Sequence, residues 1–188
     1  MNARQESVEQ TRQQITEATM RLHERVGPAA TTVSAVAEEA GVTRLTVYRH
    51  FPDDAALIAA CSAHWRSLYP RPDTAAWSAV ADPIERLRMA LSATYAWAHT
   101  AAPMMTKIYR DIEVLPPSVA EAIARDDAHR VDVLARGFGA RARGVRRLRA
   151  ALGHALDVRT WVSLCLDGGL RDEEAVNVMV AAVLAALR

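Results

Sequence analysis

The chain has 188 residues, 51% hydrophobic and 24% charged, with a formal net charge of +1. That composition can bury a core and excludes a disordered chain, and the near-zero balance excludes a global attraction to nucleic acid, leaving only local clustering. Two cysteines, Cys61 and Cys165, exclude a disulfide framework, and the longest apolar run, 178–187, is too short to span a bilayer. With no signal-like apolar stretch at the polar N-terminus, the expectation is a soluble, cytoplasmic protein with no membrane partner.

Residues 1–9 are polar and expected to fray. Over 10–26, Ile15, Ala18, Thr19, Leu22 and Val26 form an apolar stripe that Gly27-Pro28 stops. The organising stretch follows at 31–51, TTVSAVAEEAGVTRLTVYRHF. Val33, Val36, Ala37 and Ala40 recur at helical spacing, Thr32 can cap their helix, and Gly41 suits its left-handed end. Thr43 is a second N-cap, and Val47 and Phe51 set an apolar pair four residues apart on the next helix. Helix, short glycine turn and second short helix make a helix-turn-helix. The second helix carries Arg44, Thr46, Tyr48, Arg49 and His50 and no acid, which suits a groove lined with phosphates.

Pro52 ends that helix and Asp53 caps a fourth, through Leu57, Ile58, Cys61 and Trp65 to Pro70-Arg71-Pro72. It reads as a connector between a domain at 1–52 and a second at 53–188. Beyond it the periodicity gives about five helices and no strand. One opens at Asp82-Pro83, a second at Pro103, and a third after Pro116-Pro117. A long apolar helix through Leu148, Leu152, Trp161 and Cys165 then runs to Gly168-Gly169. In the last, Asp172-Glu173-Glu174 favour the positive end of the helix dipole. Its residues from Val176 to Leu187 are apolar nearly all round, more than one partner face covers. A homodimer through the last two helices, packed as a four-helix bundle, is the expectation, with an ordinary internal core as the alternative.

The run VSAVAEEAGVTRLTVYRHFPDDAALIAA resembles the N-terminal signature of the TetR family of transcriptional regulators. The likeness covers about 10–65; beyond that it is one of architecture only. It implies an all-α fold, in which a three-helix helix-turn-helix DNA-binding domain is joined by the connector helix to a helical ligand-binding and dimerisation domain. It further implies a regulator, commonly a repressor, of a palindromic double-stranded DNA operator, released by a small-molecule effector, with no cofactor.

Carried over by residue, the resemblance puts Ser34 near the groove, Thr43, Arg44, Leu45 and Thr46 at the front of the recognition helix, and Tyr48, Arg49 and His50 beside the backbone. The chemistry agrees: Arg44 can donate twice to guanine, Leu45 suits a thymine methyl, and the hydroxyls and His50 can reach phosphates. One departure is Asp54, where the family commonly has a phosphate-clamping lysine. Residues 1–52 hold six arginines and six acids, so a modest salt slope is expected.

The candidate effector pocket is Trp97, His99, Met104, Met105, Tyr109, Ile112, His129, Trp161 and Cys165, aromatics and flexible methionines with a few polar tips. The same residues also suit a plain core, and a packed interior would favour a module without effector response. An enzyme using Asp111, Glu113 or His129 lacks a nucleophile-base-orienter set. Cys61 and His64 are two ligands short of a closed metal site. Asp126, Asp127 and His129 read as a solvated face paired with Arg125 or Arg130, and the five arginines at 141–149 as a loop away from the recognition helix.

Overall fold

A computed structural model describes residues 3–139 and 142–187, and among them every regular element is helical. The helices are α1 (Ala3–Arg25), α2 (Val33–Glu39), α3 (Arg44–His50), α4 (Asp54–Leu68), α5 (Thr74–Ser78), α6 (Pro83–Arg110), α7 (Pro117–Ala135), α8 (Ala142–Ala155), α9 (Val158–Trp161) and α10 (Asp172–Ala185). None of the described helices is long and apolar enough to cross a membrane.

The chain forms two compact units. The first comprises Met1–Pro70 and Pro103–Glu121. Its core joins Ile15 and Leu22 of α1 to Val36 and Ala37 of α2, Val47 of α3, Phe51 and Leu57. Expected caps are in place: Thr32 accepts from the Ala35 N–H (3.2 Å), Thr43 from Thr46 (3.1 Å) and Asp53 from Ala56 (2.7 Å). Gly41 takes φ 67°, the left-handed turn that L side chains adopt only with strain. The polar start does not fray from residue 3 onward, since α1 is continuous from Ala3.

The second unit comprises Arg71–Ala102 and Ala122–Arg188. Trp77, Leu87, Leu91, Tyr95, Leu134, Leu148, Leu152 and Val183 are its best-buried side chains, and α8 packs on α10. The Tyr95 hydroxyl donates to the Ala155 carbonyl at 3.1 Å, giving a phenol buried among apolar groups its partner.

Three expected boundaries are corrected. Pro103 does not begin a helix; it lies inside α6. A proline there deprives one carbonyl of its donor, at about 3 kcal/mol, but Ala98, Ala101, Ala102, Met104 and Met105 are all buried, and their burial holds the helix together. The long helix expected from Leu148 to Cys165 is broken. Asp157 caps a new start by accepting from the Arg159 N–H (2.8 Å), while the Thr160 hydroxyl donates to the His154 carbonyl (2.6 Å) at the end of α8. From α9 the chain winds on as a π-helical stretch, Val162–Asp167, with Gly168 N–H bonded to the Ser163 carbonyl at 2.9 Å. A short helix, α5, also escaped the periodicity: five residues are too few for a repeat, yet Asp73 caps it and Trp77 anchors it.

Candidate nucleic-acid interface

α3 turns a single apolar residue inward. Val47 is 1% exposed, and Phe51, just past the helix, is equally buried. The other faces of this short helix are therefore free to carry chemistry. Thr43, Arg44, Leu45, Tyr48 and Arg49 are exposed, Thr46 and His50 half-buried. Leu45 is 76% exposed, a large apolar side chain left uncovered by the described residues. Ser34, on α2, is exposed. The Thr43 and Thr46 hydroxyls lie 2.9 Å apart and Thr43 already caps the helix, so the pair keeps one free hydroxyl hydrogen to offer a phosphate.

The electrostatics of this unit are set by which arginines are engaged internally. Arg21 and Arg25 both bind Glu39, at 2.9 and 3.0 Å. Their hydrogen bonds, Arg21 first and then Arg25, hold its carboxyl below the usual carboxylate range. Arg12 donates to the His50 carbonyl at 2.6 Å and lies 4.2 Å from the centre of the Phe51 ring. Among the described residues, Arg44 and Arg49 alone of this stretch face outward without an acidic partner. Asp53, beside the departing Asp54, is the N-cap of α4, which gives its carboxylate a structural reason to be there.

Sequence reasoning missed a second polar assembly in the same unit. The Asp111 carboxylate accepts from Arg110 Nε (2.6 Å), Arg110 Nη2 (2.8 Å) and the Ala29 N–H (3.0 Å), and Arg110 Nη2 also donates to the Val26 carbonyl (2.9 Å). Arg110 is the main reason the Asp111 carboxyl titrates below its ordinary range; burial opposes it, and the Ala29 N–H adds to the lowering. This clamp closes on Gly27, at φ 91°, where a Cβ would collide with Arg110 Nη2. His23 lies buried behind it, its Nδ1 3.7 Å from Cys61 Sγ. Burial pushes His23 down to about 4, against the pull of Asp111.

The candidate pocket residues do not form one described group. Met104, Met105, Tyr109 and Ile112 belong to the first unit, both methionines buried and the other two half-buried. In the second unit Trp161 is buried, its Nε1 donating to Asp172 at 2.9 Å. His99 meets the same carboxylate at 2.9 Å and packs edge-on to the Trp161 ring, and Cys165 also bonds it. Burial raises the Asp172 carboxyl, but the Trp161 and His99 hydrogen bonds outweigh it and the net shift is downward. Trp97 stacks instead under Arg71 (5.4 Å), and His129 meets the Thr74 hydroxyl (3.2 Å). A groove of about 280 Å³ opens elsewhere in this unit, between His154, Asp157, Arg159, Thr160, Ser163, Leu164 and Met179.

The weaker constellations resolve into structure. Asp126 and Asp127 both bind Arg71, at 2.8 and 2.6 Å, a partner the sequence reading did not name. Of the arginine run, Arg141 and Arg143 lie outside the described side chains, Arg146 and Arg147 are exposed, and Arg149 pairs with Asp132. No group of three metal-ligating side chains occurs among the described residues.

Residues 15–61 match the family model for bacterial regulatory proteins of the tetR family. No curated protein matches the chain. Solved structures do: a TetR-like transcriptional regulator from a Rhodococcus species is similar at TM-score 0.68 and 17% identity, covering 94% of this chain and 95% of that one. The TetR-family regulator PfmR from Thermus thermophilus gives 0.62 and 22%, over 91% and 97%. The TetR-like regulator LfrR from Mycobacterium smegmatis, in complex with proflavine, gives 0.53 and 19%, over 95% and 96%.

Proposed function

We propose that this chain, which belongs to the TetR family of transcriptional regulators, works as a cytoplasmic two-fold dimer that represses from a palindromic operator and leaves it when a small molecule binds. A member of this family is a transcription factor, not an enzyme. The observation that carries the proposal is α3: capped, acid-free, anchored by Val47 alone, with Arg44, Leu45, Tyr48 and Arg49 on its exposed faces. Arg44 reads guanine in the major groove by a bidentate pair, and Leu45 packs on a thymine methyl. Ser34, Thr43, Thr46, Tyr48, Arg49 and His50 hold phosphates and fix the register.

The dimer reading rests on α10. Ala175, Val176, Met179, Val180 and Val183 are buried within the subunit, whereas Val178, Ala181, Ala182 and Ala185 repeat at helical spacing on its exposed side. A second copy covers that stripe, and the two-fold axis sets the spacing of two recognition helices about 34 Å apart, one turn of DNA. For the effector response we propose that ligand binding in the second unit tilts the connector α4 and pulls on α6, whose last residues grip the Gly27 turn. Alternatively the chain binds DNA without an effector. The tight burial of Met104, Met105 and Trp161 favours that second reading at those positions.

Selection of bound duplexes from a random pool tests the proposal, with Arg44→Ala as the control. The expected result is an enriched palindrome, and a variant that binds it about 10- to 100-fold more weakly, with preference relaxed at one position per half-site. No enrichment at low salt sinks the operator reading.

A further inference from the structure

The last carbonyls of any helix lack intrahelical donors, and α3 is worse placed than most. Phe51 N–H returns to the Val47 carbonyl, and the next residue, Pro52, has no N–H to give. The helix that faces DNA thus ends in carbonyls with no backbone group to receive. One side chain answers. Arg12, from the middle of α1, reaches across and places Nη1 2.6 Å from the His50 carbonyl, while its guanidinium lies over the Phe51 ring, itself 1% exposed in the core. A cation at a helix C-terminus, a charged donor on an orphan carbonyl and a ring contact all converge on one residue.

From this we infer that Arg12 is the positioning residue for DNA recognition: it sets the angle of α3 by tying its C-terminal end to α1, and touches no DNA itself. The inference rests on the reading of α3 as the recognition helix. A strut at one end of a seven-residue helix governs where the opposite end, with Arg44 and Leu45, sits over the bases. Losing it leaves α3 folded, with its hydroxyls and Arg49 still able to meet phosphates at many angles, but no longer holds the helix at the one angle that base readout needs. Specific binding then falls while sequence-independent binding does not.

The experiment compares wild type with Arg12→Ala, Arg12→Met and Arg12→Lys on two duplexes, the one selected by the wild type and a scrambled one, under conditions where circular dichroism shows each variant folded. Met keeps the stem against Phe51 without the donor, so it stands in if the alanine variant does not fold. The expected result is a tenfold or greater fall in the ratio of specific to non-specific affinity for Ala and Met, with most of it restored by Lys. A change that only lowered the folded fraction would reduce both affinities by one factor and leave the ratio unmoved; that outcome overturns the inference. A salt slope reduced by about one at an unchanged ratio would place Arg12 on a phosphate, and overturns it too. A wild type that selects no duplex removes the recognition reading itself, which is a different result from a wild type that selects and an alanine variant that selects equally well.

Discussion

The short helix α3, proposed above to read DNA, and the last helix α10 solve opposite surface problems. α3 buries one valine and shows solvent two arginines, hydroxyls and a lone leucine; α10 buries five apolar residues and shows solvent another apolar stripe. Each exposes what the partner proposed for it would accept. A phosphate-lined groove demands charge and hydrogen-bond donors, whereas a copy of the same helix demands small apolar side chains that let two backbones approach. An exposed side chain is informative only against the partner that would cover it. Leu45 and Val178 are both exposed apolar residues, and they point to different chemistry because their neighbours differ.

The sharpest way to break the comparison is to put charge on the α10 stripe. Val178→Glu sets two carboxylates against each other in a two-fold interface, and the expected outcome is a monomer by light scattering. Operator affinity should fall 100-fold or more while α3 stays folded; a dimer that persists would show that the stripe is not the interface. Next in size is acid stability in the unit that carries α3. His23 titrates near 4 when folded and near 6.5 when unfolded, because burial disfavours its charged form. A depressed folded value means the stabilisation is complete above pH 6.5 and drains away as pH falls toward 4. The loss should approach about 3 kcal/mol, and denaturant titrations at pH 7 and pH 4.5 should show most of it. His23→Gln should flatten that slope; an unchanged slope would assign the acid sensitivity elsewhere. The smallest effect sharpens the α3 side: Arg49→Ala should lower the salt slope of operator binding by about one and leave base preference alone.

Much of α3's surroundings was legible because its signals are local. Thr32 with Ala35, Thr43 with Thr46 and Asp53 with Ala56 are caps closed within three residues, and Gly41 marks its turn alone. Arg12 carries no such signal, since its partner carbonyl is 38 residues away and belongs to a backbone atom that no sequence pattern marks. The clamp on Gly27 was hidden for the same reason: in sequence Asp111 was weighed only as a catalytic acid, and its partners Ala29 and Arg110 appear in the fold. Elsewhere even local signals misled. Pro103 reads as a helix start, but burial on either side keeps α6 running, and Asp157 caps a new helix, α9, where periodicity would continue the old one.

The pairing of Glu39 with two arginines reaches beyond stability. Residues 1–52 hold six arginines and six acids, and Glu39 takes up both Arg21 and Arg25, so the helix-turn-helix region presents little net charge to random duplex. Sequence-independent residence on a chromosome is set by that charge, and chromosomal sites outnumber any operator by about a millionfold or more. On the proposed operator reading, a regulator built this way lingers briefly at each wrong site, so more of its copies are free at any moment and few molecules per cell suffice.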